Sequence, residues 1–302
     1  MDYEKQFRYD GKDKLSLKQW APDDTADFHD KAEALGEVEQ DINKLRAMQD
    51  MLYAQGRYAV LIVFQGIDAA GKDSTISHVM SGINPQGCRV VSFKTPSEED
   101  LSHDYLWRIN KNLPERGKIG IFNRSYYEEV LITKVHPEFV LSEKIPGIDS
   151  LNDIDKAFWK RRYDEIRDYE KYLSNNGFII IKFFLHLSKG EQRKRFLKRI
   201  DQKEKNWKLS VADMKERALW DNYQTAFEEA ISHTATAKVP WYIVPADNKW
   251  FTQLAVSKIV NERISQLHLS YPEVPEAQMS ELAEIKAQLL NEKQKKNSVP
   301  AL

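Results

Sequence analysis

Gly66-Ile67-Asp68-Ala69-Ala70-Gly71-Lys72-Asp73-Ser74 carries the residue types that hold phosphate, at the spacing that lets a backbone do it. Gly66 and Gly71 allow a tight curl, so the N–H groups of Gly66, Ala69, Ala70 and Gly71 can turn inward as an anion nest. A helix N-terminus at Lys72 adds partial positive charge, and the lysine adds a full one. Two acids depart from the common pattern. Asp73 stands where a Ser or Thr usually ligates Mg²⁺, with Ser74 just after it. Asp68 lies inside the loop, where a carboxylate repels phosphate unless Mg²⁺ bridges the two or the acid orients an acceptor phosphate. Either reading makes Asp68 a candidate site residue, a metal ligand in the first case.

Further polar groups follow apolar runs. Lys118-Ile119-Gly120-Ile121-Phe122 ends in Asn123-Arg124-Ser125-Tyr126-Tyr127-Glu128. In an open α/β sheet the ligand lies beyond the carboxyl ends of the strands, so Asn123, Arg124 and Glu128 are candidates for the same site. Arg124 has the fork geometry to clamp a phosphate; an ordinary helix start capped by Ser125 or Asn123 would also account for the segment. Lys94 ends another apolar run, and Arg108 follows on a helix, within reach of phosphate or paired in a structural salt bridge. After Phe183-Phe184-Leu185-His186 comes a helix with Lys189, Arg193, Lys194, Arg195, Lys198 and Arg199, then Lys203, Lys205 and Lys208. So many cations with few acids indicate a polyanion partner, or else a solvated basic face; aromatics interleaved for base stacking are missing, which argues against nucleic acid. His136 and His233 are lone histidines read as structural, and Trp159, Trp207, Trp220, Trp241 and Trp250 as core or interface residues.

The elements that must position these groups read as a strand–helix alternation. Five apolar, β-branched runs are expected as strands: 58–65, 89–94, 118–122, 178–185 and 241–244. Helices are expected over 72–82, 98–112, 125–134, 151–176, 188–204, 211–232, 248–267 and 275–295. Near-continuous apolar strands separated by helices predict a three-layer α/β/α sandwich around a five-stranded, mainly parallel sheet. A long amphipathic helix precedes it, with Leu45, Met48 and Leu52 at helical steps and Gly56 as its stop. Residues 1–28 are polar, broken by Pro22, and read as an N-terminal arm or loosely packed extension. Residues 29–270 form the main domain, and 271–302 a C-terminal helix and tail, frayed from Gln294.

The bulk numbers exclude more than they assign. A 302-residue chain with 41% hydrophobic residues can bury a large core, and a net charge of −1 gives no bulk argument for nucleic acid or membrane. The single cysteine, Cys88, allows neither an intrachain disulfide nor a cysteine zinc site. No apolar run approaches a membrane span, and Met1 to Lys18 has no signal-like apolar core, so a cytoplasmic protein is expected.

Taken together, Phe64-Gln65-Gly66-Ile67-Asp68-Ala69-Ala70-Gly71-Lys72-Asp73, the turn Asn84-Pro85-Gln86-Gly87, Ser102-His103-Asp104-Tyr105-Leu106-Trp107-Arg108, Gly120 to Glu128, the basic helix and Ala246-Asp247-Asn248-Lys249-Trp250 resemble the family-2 polyphosphate kinases, from about residue 30 to 268. The resemblance implies a P-loop kinase-like fold with a helical lid over about 188–220. It also implies reversible transfer of a terminal phosphoryl group between inorganic polyphosphate and AMP or ADP, with Mg²⁺ or Mn²⁺. Asp68, Lys72 and Arg124 would then be catalytic. Lys189, Arg193, Lys194, Arg195, Arg199 and Lys208 would line the polyphosphate channel. Asn123 with Glu128 resembles the branch that accepts both AMP and ADP. A homo-oligomer, dimer or tetramer, is expected, with no nucleic acid or membrane partner. The competing readings are an ATP-dependent nucleotide kinase of the thymidylate kinase type and a non-catalytic polyanion-binding protein.

Overall fold

The computed structural model describes residues 2–296, which divide into two compact units with the boundary between Leu269 and Ser270. In the first, six strands form one sheet: β1 (Arg8–Tyr9), β2 (Ala59–Gln65), β3 (Cys88–Ser92), β4 (Ile119–Asn123), β5 (Phe178–His186) and β6 (Trp241–Pro245). Their order is β1-β6-β5-β2-β4-β3, with every pairing parallel except β1 against β6. β2 is central. It registers Ile62 against Ile121 of β4 and against Ile181 of β5, and all seven of its residues are buried. A strand buried on both faces has no reason to alternate, which is why it reads as an unbroken apolar run.

Alternate β2 side chains feed two cores. Leu61 and Val63 point into one, with Phe122, Ile166 and Phe227; Val60, Ile62 and Phe64 point into the other, with Leu52, Val79 and Leu254. The helices that cover these faces are α1 (Lys31–Gln55), α2 (Lys72–Val79), α3 (Glu128–Val135), α4 (Lys156–Asn175), α5 (Lys189–Asp201), α6 (Val211–Ala218), α7 (Trp220–Thr234) and α8 (Lys249–Ser265). α1, α2 and α8 cover one face; α3, α4 and α7 cover the other. The α/β/α sandwich is thus present, with six strands in place of five. α1 starts at Asp30, whose carboxylate accepts from the Ala32 and Glu33 amides, and stops at Gly56 in a left-handed conformation.

The sixth strand comes from the segment expected to be a loose arm. Tyr3 and Phe7 pack against Phe251, and Tyr9, Leu15 and Leu17 enter the opposite core. Those apolar residues are too sparsely spaced to show a period. Only the exposed edge of β6 and the gap beside α8 give them somewhere to go. The helix expected over 98–112 is instead two short turns, Glu98–Leu101 and Trp107–Asn110, the first closed by a Ser97–Asp100 capping box. The one expected over 211–232 breaks at Leu219 into α6 and α7.

One polar cluster is fully enclosed beside this sheet. Lys182, in the middle of β5, places Nζ 2.7 Å from Glu170 of α4 and 2.9 Å from the Tyr127 hydroxyl. Tyr126 and Tyr127 both donate to the other Glu170 oxygen at 2.8 Å. The second unit holds α9 (Glu276–Lys296), which leaves Met279, Leu282, Ile285 and Leu289 exposed along it. The tail expected to fray ends in residues 297–302, which lie outside the described residues. No described helix is long and apolar enough to cross a membrane.

Candidate active site

The carboxyl ends of β2, β4 and β5 meet at the glycine loop. Gly66 and Gly71 have φ of +154° and +105°, and Ala69 sits at +63°. At Gly66 the requirement is double, because a Cβ there would lie 3.0 Å from the Leu185 carbonyl of β5 and 3.1 Å from Ala70 Cβ. Lys72 folds back across the loop and donates to the Gly66 carbonyl at 2.5 Å and to that of Ile67 at 3.3 Å. Burial, seconded by the nearby Arg124 cation, pulls the Lys72 ammonium down to about 8, against the upward pull of Asp68, Glu128 and Asp73.

Arg124 is the first residue past β4, held at φ +64° with its amide donating to the Phe64 carbonyl of β2. That left-handed turn sends its guanidinium back over the loop. There Nη2 lies 2.9 Å from Asp68 Oδ1, and Nη1 lies 3.5 Å from Glu128 Oε2. Burial raises the Glu128 carboxyl, with Arg124 and Lys72 holding it partly down. Asn123 donates to Asp73 Oδ1 at 2.6 Å, so the residue ending β4 braces the first turn of α2. Asp68, Lys72, Asp73, Asn123, Arg124 and Glu128 thus come together as one site.

Other expected residues fall differently. Arg108 is buried, with Nη1 donating to the Lys94 carbonyl at 2.8 Å and Nη2 3.3 Å from Glu129, so it holds the wall together. The backbone of Lys94, not its ammonium, makes that contact. Arg195 is not a free lid cation. It donates to the carbonyls of Ala69, Ala70, Ala246 and Asp247 at 2.6–3.1 Å and to Glu191 at 3.0 Å. Facing the sheet on a helix seated beside the loop, it clasps loop carbonyls that the inward-turned amides leave pointing away. Lys189, Arg193, Lys194 and Lys208 are exposed, and Arg199 donates to the Lys208 carbonyl at 3.2 Å. The basic surface is therefore real, but the base of α5 is bolted to the loop. Trp207 on the following turn is 79% exposed and belongs to no core.

From the loop a chamber of about 490 Å³ runs between α3, α6 and α7, with Asp68 and Arg124 at one end and Ile132, Phe139 and His136 toward the other. Gln192, Glu216, Arg217 and Tyr223 also line it, and none of them stood out in the sequence. They lie on three helices, and only the sequence oddity of an uncharged Gln192 amid the basic run hinted at one of them. His136, read as structural, is a wall residue whose Nε2 lies 2.9 Å from Glu216.

Among the described residues no group of three or more His, Cys, Asp or Glu is arranged to hold a metal. Asp68 and Asp73 nonetheless offer hard carboxylate oxygens on the two arms of the phosphate loop. Mg²⁺ commonly takes one or two carboxylates and completes its shell with phosphate oxygens and water. The residues therefore fit a cation shared with bound phosphate.

This arrangement of loop, arginine and basic helix has relatives. The family model "Polyphosphate kinase 2 (PPK2)" matches residues 28–271. The chain belongs to the polyphosphate kinase 2 family. It is 50% identical over 287 residues to the ADP-polyphosphate phosphotransferase of Rhodopseudomonas palustris, covering 95% of this chain and 98% of that one. It is 41% identical over 270 residues to the AMP/ADP-polyphosphate phosphotransferase of Meiothermus ruber, covering 89% and 96%. The crystal structure of the polyphosphate kinase 2 of Arthrobacter aurescens superimposes with a TM-score of 0.83 at 34% identity, over 94% of this chain and 97% of that one. The chain is accordingly a phosphotransferase, and neither an ATP-dependent kinase nor a non-catalytic binder finds support among these relatives.

Proposed function

We propose that this enzyme transfers the terminal phosphoryl group of inorganic polyphosphate to AMP and ADP, reversibly, with the acceptor's phosphate at the Gly66–Ser74 loop and polyphosphate along the basic helix α5. The observation that carries it is the Asp68–Arg124 pair lining the same chamber as the phosphate loop. The chamber suits a nucleoside, and the pair places a cation and an acid where a phosphate must enter. Asn123 and Glu128, close to that pair, accord with acceptance of both nucleotides.

An anionic oxygen of the acceptor phosphate attacks the terminal phosphorus, that phosphorus parts from the chain's bridging oxygen, and the chain leaves one unit shorter. No proton has to be removed from the nucleophile, so no general base is required. Lys72 and the loop amides hold the acceptor phosphate, while Arg124 neutralises charge as it spreads over the transferred group. Asp68 and Asp73 would hold Mg²⁺ or Mn²⁺, which neutralises phosphate charge when bound. The exposed Lys189, Arg193, Lys194 and Lys208 supply a line of cations for a donor charged along its whole length. The enzyme acts in the cytoplasm as a homo-oligomer, for which the exposed apolar stripe of α9 offers an interface.

Incubating the protein with polyphosphate, Mg²⁺ and AMP, ADP, GMP or GDP in parallel should yield ADP and ATP with no ATP supplied. Folded protein giving no nucleotide product would overturn the proposal.

A further inference from the structure

α6 buries none of its residues, and Val211 and Met214 on it are 77% and 53% exposed. A helix without a buried apolar face keeps its place through polar contacts, and elements of that kind belong to the low-stability end of a fold. Two adjacent residues make those contacts. Glu216 Oε2 accepts from the Tyr223 hydroxyl at 2.6 Å and lies 2.9 Å from His136 Nε2. Neither partner is on α6: His136 closes α3, and Tyr223 is on α7. Arg217 turns the other way, donating to Gln192 Oε1 at 2.6 Å and to the Lys189 carbonyl at 3.0 Å. Buried Gln192 in turn donates to the Asp68 carbonyl at 2.9 Å. One residue thus ties α6 to the chamber wall, and the next ties it, through α5, to the phosphate loop.

We propose that Glu216 is a positioning residue. By gripping Tyr223 and His136 with one oxygen it holds α6 as the roof of the chamber, and so sets how tightly the acceptor nucleotide is bound. The proposal rests on the reading of the chamber as the acceptor site. The donor surface on α5 is fastened separately by Arg195 and does not depend on this latch.

The test uses the full-length Glu216→Ala and Glu216→Gln variants, with Tyr223→Phe as a milder second break that removes only the hydroxyl. Amide hydrogen exchange without ligand is compared with steady-state kinetics in which acceptor and polyphosphate are varied separately. For Glu216→Ala, which removes the contacts to both Tyr223 and His136, exchange over 211–218 should quicken and acceptor KM should rise at least about tenfold, the scale of losing a hydrogen bond to a charged group. Exchange in β2 and β4 and the KM for polyphosphate should stay as they are. Glu216→Gln still offers an oxygen to Tyr223 and should recover most of the acceptor KM. Unchanged exchange over 211–218, a parallel rise in both KM values, or a Gln variant no better than Ala would each overturn the latch. If the wild-type enzyme shows no polyphosphate-dependent phosphorylation, the functional reading fails, while the exchange measurement still decides whether Glu216 holds α6.

Discussion

The guanidinium of Arg124 lies 2.9 Å from the carboxylate of Asp68 across the mouth of the phosphate loop, although the two residues are 56 positions apart in the chain. Both side chains are about one-third exposed, so the pair contributes little to stability, about 0.5 kcal/mol. Its value is positional: the acid restrains the arginine until phosphate arrives. Asp68→Asn should therefore fold with an almost unchanged denaturation midpoint yet lose turnover by at least about 100-fold, the scale of removing a preorganised charge from such a site. Nucleotide product analysis beside urea unfolding measures both. Retained activity would remove Asp68 from the catalytic set.

Lys72 supplies a pH dependence whose direction follows from its charge. The cation is the form that holds phosphate, and its ammonium titrates near 8 in the free enzyme. Because kcat/KM reports the free enzyme, it should fall as pH rises through about 8. Lys72→Arg stays protonated across that range and should lose the alkaline limb while working more slowly throughout. A kcat/KM profile from pH 6 to 10 for both proteins would show it.

Gly66→Ala would put a Cβ 3.0 Å from the Leu185 carbonyl at a φ that side chains rarely adopt. The expected cost is about 1–3 kcal/mol of stability together with near-complete loss of activity, since the loop must move away from β5. Urea denaturation and turnover should fall together, unlike the separation expected for Asp68→Asn.

Arg195 and Arg193 should separate clasp from channel. Arg195→Met leaves four backbone carbonyls without their donor and should lower the melting temperature and disturb the loop. Arg193→Ala, on the exposed face, should leave melting unchanged and raise the KM for polyphosphate alone.

The buried Lys182–Glu170 pair should behave as two buried charges normally do. Lys182→Met leaves the Glu170 carboxylate buried without its cation, and a loss of about 3–5 kcal/mol is expected by chemical denaturation. Glu170 also accepts from Tyr126 and Tyr127, the residues that follow Arg124 and Ser125. A catalytic defect larger than the unfolded fraction explains would show that this cluster also sets the Arg124 turn.

The reaction class was legible in the chain because it depends on local order. A glycine loop between a buried strand and a helix, an acid inside that loop, and Asn-Arg at the end of the third apolar run are patterns of neighbours, and phosphate chemistry is carried largely by such backbone segments. The strands β2, β4, β5 and β6 were legible for a similar reason, since burial leaves them largely apolar, whereas β3 is an edge strand marked only by its paired valines. Only the tertiary structure decided matters that depend on distant partners. It turned Arg195 inward onto loop carbonyls and paired Arg108 with Glu129. It made the sparse residues before Leu17 into a strand and two core anchors. It also assembled the chamber from Gln192, Glu216, Arg217 and Tyr223. A charged side chain looks the same in sequence whether it meets solvent, a carbonyl or a carboxylate, and the contact that separates these cases is set by how the helices cross the sheet.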